Sequence, residues 1–108
     1  MTVSEMAEKL NLKIACGKAE KEVAGLYVGD LLSRVMSRAP VNSAWITIMN
    51  NVNTVAVSAL ADTACVLLCE SVKPDPVALE KAVEKGVTIV ASDLSAAELC
   101  VAIDALLK

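Results

Sequence analysis

The sequence contains no histidine and no phenylalanine, and its only aromatic residues are Tyr27 and Trp45. Without histidine, the Ser-His-Asp and Cys-His catalytic pairs and most zinc sites are excluded. Proteins that bind nucleic acids usually present a basic face and stacking aromatics. This chain has a formal net charge of −3 and scattered lysines and arginines, so we expect no nucleic-acid partner.

Phosphate-binding loops and membrane segments are also missing from the sequence. No Gly-x-x-x-x-Gly-Lys-Ser/Thr run and no Gly-x-Gly-x-x-Gly run is present, and these are the loops that hold nucleotide phosphates in many enzymes. No apolar run approaches the ~18 residues that cross a bilayer, and residues 1–5 do not have the pattern of a signal peptide. We expect no membrane partner and, with four cysteines and no targeting segment, a cytoplasmic location.

What the chain does contain is a surplus of small apolar residues. Of its 108 residues, 56% are hydrophobic, which exceeds the usual share of about 45–50%. A chain of this length is expected to form a single domain over residues 1–108 with one core. Apolar surplus in a small domain is typical of a buried subunit interface, so we expect a homo-oligomer, specifically a dimer.

Alternating strand and helix patterns predict a three-layer α/β/α fold with a mostly parallel sheet of about four to five strands. Predicted strands cover residues 13–16, 23–28, 44–49, 64–69 and 87–91. Predicted helices follow Thr2, Asp30, Asn53, Asp75 and Ser95 as caps. Two capping boxes, Thr2 with Glu5 and Ser95 with Glu98, give the clearest helix starts.

In such sheets a ligand binds beyond the carboxyl ends of the strands. The residues there that we select as ligand-binding candidates are Gly29, Asp30, Asn50, Asn51, Ser92 and Asp93, and Lys73 joins them from a loop that precedes a helix start. A lysine beside a helix N-terminus suits an anionic ligand. The alternative interpretation is structural, because helix caps and turns also need Asp, Asn, Ser and Gly.

Other reactive side chains point to structure rather than chemistry. Asp30 and Asp93 are the only plausible carboxylate pair, and capping explains both. Cys65 and Cys69 lie four apart on a strand, roughly 13 Å from each other, so they share no metal or disulfide. All four cysteines and Trp45 are expected in the core. The sequence therefore predicts no catalysis, no metal and no cofactor.

Several segments together resemble the DRTGG domain family over nearly the whole chain. They are Val3–Leu12, Val23–Ser33, Ala44–Ile48 with Asn53, Lys73–Asp75 and Ser92–Leu99. The segment around residues 21–26 departs from the family pattern, since it keeps one glycine and lacks the usual arginine. Asn51 stands where the family often has histidine, and Gly29 where it has serine.

The resemblance implies a regulatory module similar to the N-terminal domain of HPr kinase/phosphorylase, a domain also found beside phosphotransacetylase and between CBS modules in regulated pyrophosphatases. The kinase activity of the longer enzyme belongs to a separate domain with a phosphate loop, which this chain lacks. We expect a non-catalytic module that senses a nucleotide or another small anionic metabolite. Two alternatives remain: a ligand-free dimerisation or docking module for a partner enzyme, and a small enzyme.

Overall fold

The structure, a computed structural model, describes residues 1–108. Its five strands are β1 (Lys13–Cys16), β2 (Gly25–Val28), β3 (Ser43–Thr47), β4 (Cys65–Leu68) and β5 (Ile89–Ala91). Its five helices are α1 (Val3–Leu10), α2 (Leu32–Arg38), α3 (Val52–Ala61), α4 (Pro76–Lys85) and α5 (Ala96–Leu107). None of these helices combines the length and apolarity that crossing a bilayer requires.

The strands form one sheet in the order β1-β5-β4-β3-β2. Strands β2 to β5 run parallel to one another. The outermost strand β1 is antiparallel to β5, with Lys13 opposite Ala91. Strand β4 lies at the centre and every one of its residues is buried, as its continuous apolar run predicts for a strand covered on both faces. The predicted mostly parallel sheet is therefore confirmed.

Helices cover both faces of this sheet, because successive strand residues point to opposite sides. On one face, α1 and α5 pack against residues such as Ile46 and Leu67 of the sheet. On the other face, α2, α3 and α4 pack against Trp45, Val66 and Leu68. Two separate apolar clusters result, and the three-layer α/β/α architecture is confirmed.

The two predicted capping boxes both form. Thr2 and Glu5 bond reciprocally at the start of α1, and Ser95 and Glu98 do so at the start of α5. Each box satisfies backbone N–H groups that a helix start otherwise leaves unpaired. Helix α4 begins at Pro76 as predicted, although the Asp75 side chain makes no capping bond.

Three predicted caps are wrong. Asp93 does not cap a helix, because Ser95 caps α5 and the Asp93 carboxylate accepts from the Ser71 hydroxyl instead. Asp30 does not cap α2, which starts after Leu31 without any side-chain cap, because the Asp30 carboxylate bonds to the neighbouring strand end instead. Asn53 does not cap α3 either, since Asn51 does so by accepting from the N–H groups of Asn53 and Thr54. The helix therefore begins at Val52, two residues earlier than predicted.

The helical spacing of apolar residues predicts that Leu31 and Met36 of the second helix and Val83 of the fourth face the core, but all three are exposed. Leu31 is 65% exposed, Met36 44% and Val83 68%. The apolar composition of helix α3 on nearly all sides predicts that it is deeply buried or lies at an interface. Within this chain it is not deeply buried, since Leu60 is 74% exposed while Thr54 and Ser58 face inward. Only one stripe of a helix can face the sheet, and the position of that stripe depends on the docking of the whole helix.

Candidate ligand-binding site

Strands β2 to β5 all end at one edge of the sheet, here called the carboxyl edge. The candidate residues of the sequence follow these four strand ends, but the structure separates them into two groups. One group lines an open cleft at the β5 and β1 side. The other group makes hydrogen bonds within the protein at the β2 and β3 side.

The open cleft has a volume of about 600 Å³, within the range of known small-molecule sites. It lies between β1, the end of β5 and the loop that joins β4 to α4. Three of the seven predicted residues line it, namely Lys73, Ser92 and Asp93. The other lining residues are Asn11, Lys13, Ile14, Ala15, Ser71, Val72, Pro74, Leu79 and Ala91. We call this set the carboxyl-edge cleft.

The wall of the carboxyl-edge cleft is partly apolar. Ala15, Val72 and Leu79 are half-buried and pack against the apolar cluster beneath α2, α3 and α4. Ile14 and Pro74 add further apolar surface. Because these side chains rest on the core, they form a supported surface against which a flat or apolar part of a ligand can pack.

Two lysines line the same cleft, one from each side. Lys13 is at the start of β1 and Lys73 is in the loop before α4, and both are exposed. Neither forms an ion pair within the protein. Their positive charges are available to an anion, and the apolar wall lowers the local dielectric that such an anion would feel.

Lys13 and Asn11 were not among the candidates from the sequence. They precede β1, whereas the candidates from the sequence follow strands. Because β1 is antiparallel to β5, its beginning lies at the carboxyl edge, and Lys13 is opposite Ala91, about 5 Å away between Cα atoms. No local sequence pattern predicts the antiparallel pairing of β1 with β5. The sequence does show that Lys13 is a charged residue at the start of a predicted strand.

Asp93 has a fixed position in the cleft. Its Oδ1 atom accepts a hydrogen bond of 2.8 Å from the Ser71 hydroxyl. Ser71 and its neighbour Glu70 both have left-handed backbone conformations, with φ of 64° and 56°. Backbone bonds to Ser92 and Leu94 hold them there. Such conformations are costly for residues other than glycine and are often found at binding sites.

The Lys73 loop is also held in place. Asn50 donates from its side-chain amide to the Lys73 carbonyl at 2.7 Å, and its own carbonyl accepts from the Asp75 N–H at 3.3 Å. Asn51 caps α3 at distances of 3.0 and 3.3 Å. Neither of these two predicted candidates lines the cleft. Asn50 holds the loop that carries Lys73, and Asn51 caps α3.

Gly29 and Asp30 lie at the other side of the carboxyl edge. The Asp30 Oδ1 atom accepts from the Thr47 hydroxyl at 2.7 Å and from the Ile48 N–H at 3.0 Å. The Gly29 carbonyl accepts from the buried Trp45 indole N–H at 2.9 Å. Asp30 and Asp93 follow strands three positions apart in the sheet, which is about 14 Å. The two carboxylates do not share a cleft.

All four cysteines are free thiols. Cys65 and Cys69 are buried as predicted, whereas Cys16 and Cys100 are only partly buried. Burial raises the pKa of Cys65 to about 12, and desolvation also raises the pKa of Cys16, Cys69 and Cys100. Thiolates are the reactive form of cysteine, so these environments suppress thiol chemistry. No three Cys, Asp or Glu side chains come together in an arrangement that could hold a metal ion.

A smaller cleft of about 410 Å³ lies at the opposite edge of the sheet. Residues 17–21, which follow β1, form one side of it, and the end of α4 forms the other. Of its two lysines, Lys21 is ion-paired with Asp62 at 2.6 Å. The second lysine, Lys18, provides a surface cation far from the carboxyl edge.

No protein-family profile matches the chain, and no curated protein matches it in sequence. A solved structure does match it: the CBS and DRTGG domains of the regulatory region of Clostridium perfringens pyrophosphatase, complexed with the activator diadenosine tetraphosphate. The TM-score is 0.76 at 8% sequence identity, over 94% of this chain and 45% of that one. The likeness concerns the fold alone, and it agrees with the DRTGG-like fold that the sequence predicted. The chain spans less than half of the length of that structure.

Proposed function

We propose that this chain is a single, non-catalytic regulatory module of the DRTGG type, which binds a small anionic ligand such as a nucleotide in the carboxyl-edge cleft. The observation that carries the proposal is the presence of Lys13 and Lys73, both without ionic partners, on either side of a supported cleft. Cations that are not neutralised within the protein attract an anion most strongly where the walls exclude water.

Two further features support this proposal. The solved structure that shares the fold belongs to the regulatory region of an enzyme, and that region was complexed with a nucleotide activator. The loops that form the cleft are fixed by hydrogen bonds from Asn50 and Ser71, so little ordering accompanies binding. The free thiols fit a reducing compartment such as the cytoplasm.

The test is a thermal-shift screen of nucleotides and phosphorylated metabolites, followed by lysine variants. A ligand at about 100 times its dissociation constant adds about 2.7 kcal/mol of stability, and for a domain of this size Tm then rises by roughly 10 °C. The double variant K13A/K73A is expected to lose the shift. The matched control K18A/K85A removes the same charge at the opposite edge and is expected to retain it. Equal loss in both double variants, or no shift with any anion, contradicts the proposal.

A second candidate function is dimerisation or docking to a partner enzyme. Four apolar residues around Asp30 are exposed: Val28 by 44%, Leu31 by 65%, Ile48 by 45% and Val52 by 37%. They lie at the ends of β2 and β3 and the starts of α2 and α3. Clusters of exposed apolar residues often mark protein interfaces.

This candidate is tested by the oligomeric state. Light scattering at micromolar concentration is expected to give a dimer for the wild type. The variant L31S/I48S is expected to shift it to a monomer, because both substitutions remove apolar area from this surface. The control V101S alters a residue that is 74% exposed on α5 and is expected to leave the dimer intact. A monomeric wild type, with no partner recovered, rules this function out.

A further inference from the structure

We propose that the carboxyl-edge cleft selects a ribonucleotide over a bare anion, with Asp93 accepting hydrogen bonds from the ribose hydroxyls while Lys13 and Lys73 bind the phosphate. This inference rests on the proposed function, since it names the class of ligand and the specificity-determining residue of the same site. It arises from the presence of a carboxylate in a cleft whose cations are otherwise suited to an anion.

A carboxylate in an anion site needs an explanation. Asp93 forms no ion pair with either lysine, so its charge is not neutralised within the protein. Like charges that approach in a partly apolar cleft repel each other. A small inorganic anion that fills the cleft would therefore meet both attraction and repulsion. A ligand that places a neutral donor at Asp93 and an anion at the lysines avoids that conflict.

The hydrogen bonds of Asp93 define the donor that it can accept. Ser71 donates to Oδ1, and no protein group donates to the other carboxylate oxygen, Oδ2. Ser71 is itself held by a backbone bond from its N–H to the Ser92 carbonyl at 2.9 Å. The free oxygen is therefore presented in a fixed orientation. Vicinal hydroxyls are donors that suit a carboxylate, and an acidic side chain is a common partner of ribose in nucleotide sites.

The rest of the cleft suits the remaining parts of a ribonucleotide. Ala15, Val72 and Leu79 provide a supported apolar surface for a base, and Lys13 and Lys73 provide charges for the phosphate. The volume of about 600 Å³ is larger than a phosphate or a small acid needs and falls in the range of sites that bind larger ligands. One cleft thus offers a distinct surface for each of the three parts.

The experiment is calorimetric titration of the full chain with the four ribonucleoside 5′-monophosphates, their 2′-deoxy counterparts and inorganic pyrophosphate. A site built to bond a hydroxyl discriminates against an analogue that lacks it. We expect at least one ribonucleotide to bind roughly 10- to 100-fold more tightly than its 2′-deoxy form, as a hydrogen bond to a charged group implies. Pyrophosphate is expected to bind more weakly than that ribonucleotide.

The diagnostic variant is D93N. Its amide oxygen retains the bond from Ser71, while its amide nitrogen replaces the free acceptor oxygen with a donor. The ribo-to-deoxy preference is expected to fall to nearly one, and pyrophosphate is expected to bind more tightly because the negative charge is gone. The control D104N removes a charge from the exposed surface of α5 and is expected to retain both properties. Thermal unfolding of each variant confirms that it is folded.

The outcomes separate the two proposals. If ribonucleotides and deoxyribonucleotides bind wild type equally and K13A/K73A weakens both, the proposed function stands and the role of Asp93 is overturned. If the preference exists but persists in D93N, Asp93 is not the specificity residue and the inference is also overturned. If no nucleotide binds wild type, this inference is overturned, and the proposed function is overturned with it only if no other anion gives a thermal shift.

Discussion

Removal of the Asp30 carboxylate is expected to destabilise the protein without affecting ligand binding. Both of its hydrogen bonds reach one atom, Oδ1, which accepts from the Thr47 hydroxyl and the Ile48 N–H. These bonds tie the end of β2 to the end of β3. The carboxyl-edge cleft lies at the other end of the same edge, beside β5 and β1. Asp30 therefore has no role in the cleft. The substitution D30A deletes both bonds.

The expected magnitude follows from those two bonds. A typical hydrogen bond contributes about 0.5–1.5 kcal/mol net, and Asp30 is exposed, so D30A is expected to lose about 1–2 kcal/mol in all. For a domain of this size that lowers Tm by roughly 4–8 °C. D30N is the matched control, because its amide oxygen remains in the Oδ1 position. We expect D30N to retain more than half of the lost stability.

Urea unfolding followed by Trp45 fluorescence measures both variants, since Trp45 is fully buried and donates to the Gly29 carbonyl beside Asp30. If D30A is as stable as the wild type, the two hydrogen bonds of Asp30 contribute nothing to the free energy of unfolding, and the prediction is wrong. Equal losses in D30A and D30N show that the charge, rather than the oxygen, matters. A loss of nucleotide affinity in a folded D30A, comparable to that of the lysine variants, shows that the binding site extends across the whole carboxyl edge.

Three further predictions follow from particular positions. Gly86→Ala is expected to cost about 1 kcal/mol of unfolding free energy, because φ is +71° in open space. Gly17→Ala is expected to cost at least twice as much in urea unfolding, because its Cβ would lie 2.6 Å from the Cα atom of Thr88, just before β5; equal costs contradict the close approach. A backbone hydrogen bond from Ser95 in the capping box lowers the pKa of Glu98 from its ordinary value of 4.5. The contribution of this carboxylate to folding stability is therefore present above pH 4.5 and is lost as the pH falls through the pKa of Glu98 in the folded protein. The variant E98Q is expected to flatten the acid limb of a stability–pH profile, and an unchanged limb refutes this. Since burial raises the pKa of Cys65 to about 12, Cys65 is expected to react with a disulfide reagent at pH 8 far more slowly than half-buried Cys100, as peptide mapping after brief labelling would show; equal labelling in native protein refutes the burial argument.

The sequence predicted those elements whose signals are local. The capping boxes at Thr2 and Ser95 involve residues three apart, and both form as expected. The continuous apolar run at β4 predicts a strand that is covered on both faces, and all of its residues are buried. The errors occurred where a side chain had a choice of partners. Asp30 was predicted to cap α2, but Thr47 and Ile48, which are distant in sequence, are its partners in the folded protein.

The residues of the candidate site were likewise predicted only in part from the sequence. The residues that follow parallel strands were visible as a class, because every such strand ends at one edge of the sheet. Only the strand order decided which of them meet: it places β5 beside β1 and far from β2. That order brings Asp93 close to Lys73, and the antiparallel direction of β1 adds Lys13. It leaves Asp30 about 14 Å away.

By itself, the sequence of this protein determined the fold class, most helix and strand positions, and the absence of histidine-dependent and phosphate-loop chemistry. Those properties depend on composition, periodicity and hydrogen bonds between near neighbours in the chain. The tertiary structure alone decided which charged side chains share the carboxyl-edge cleft and which are used to join two strands. Strand pairing connects residues such as Lys13 and Ala91 that are distant in sequence, and its energy comes from the packing of both sheet faces, which no local pattern contains.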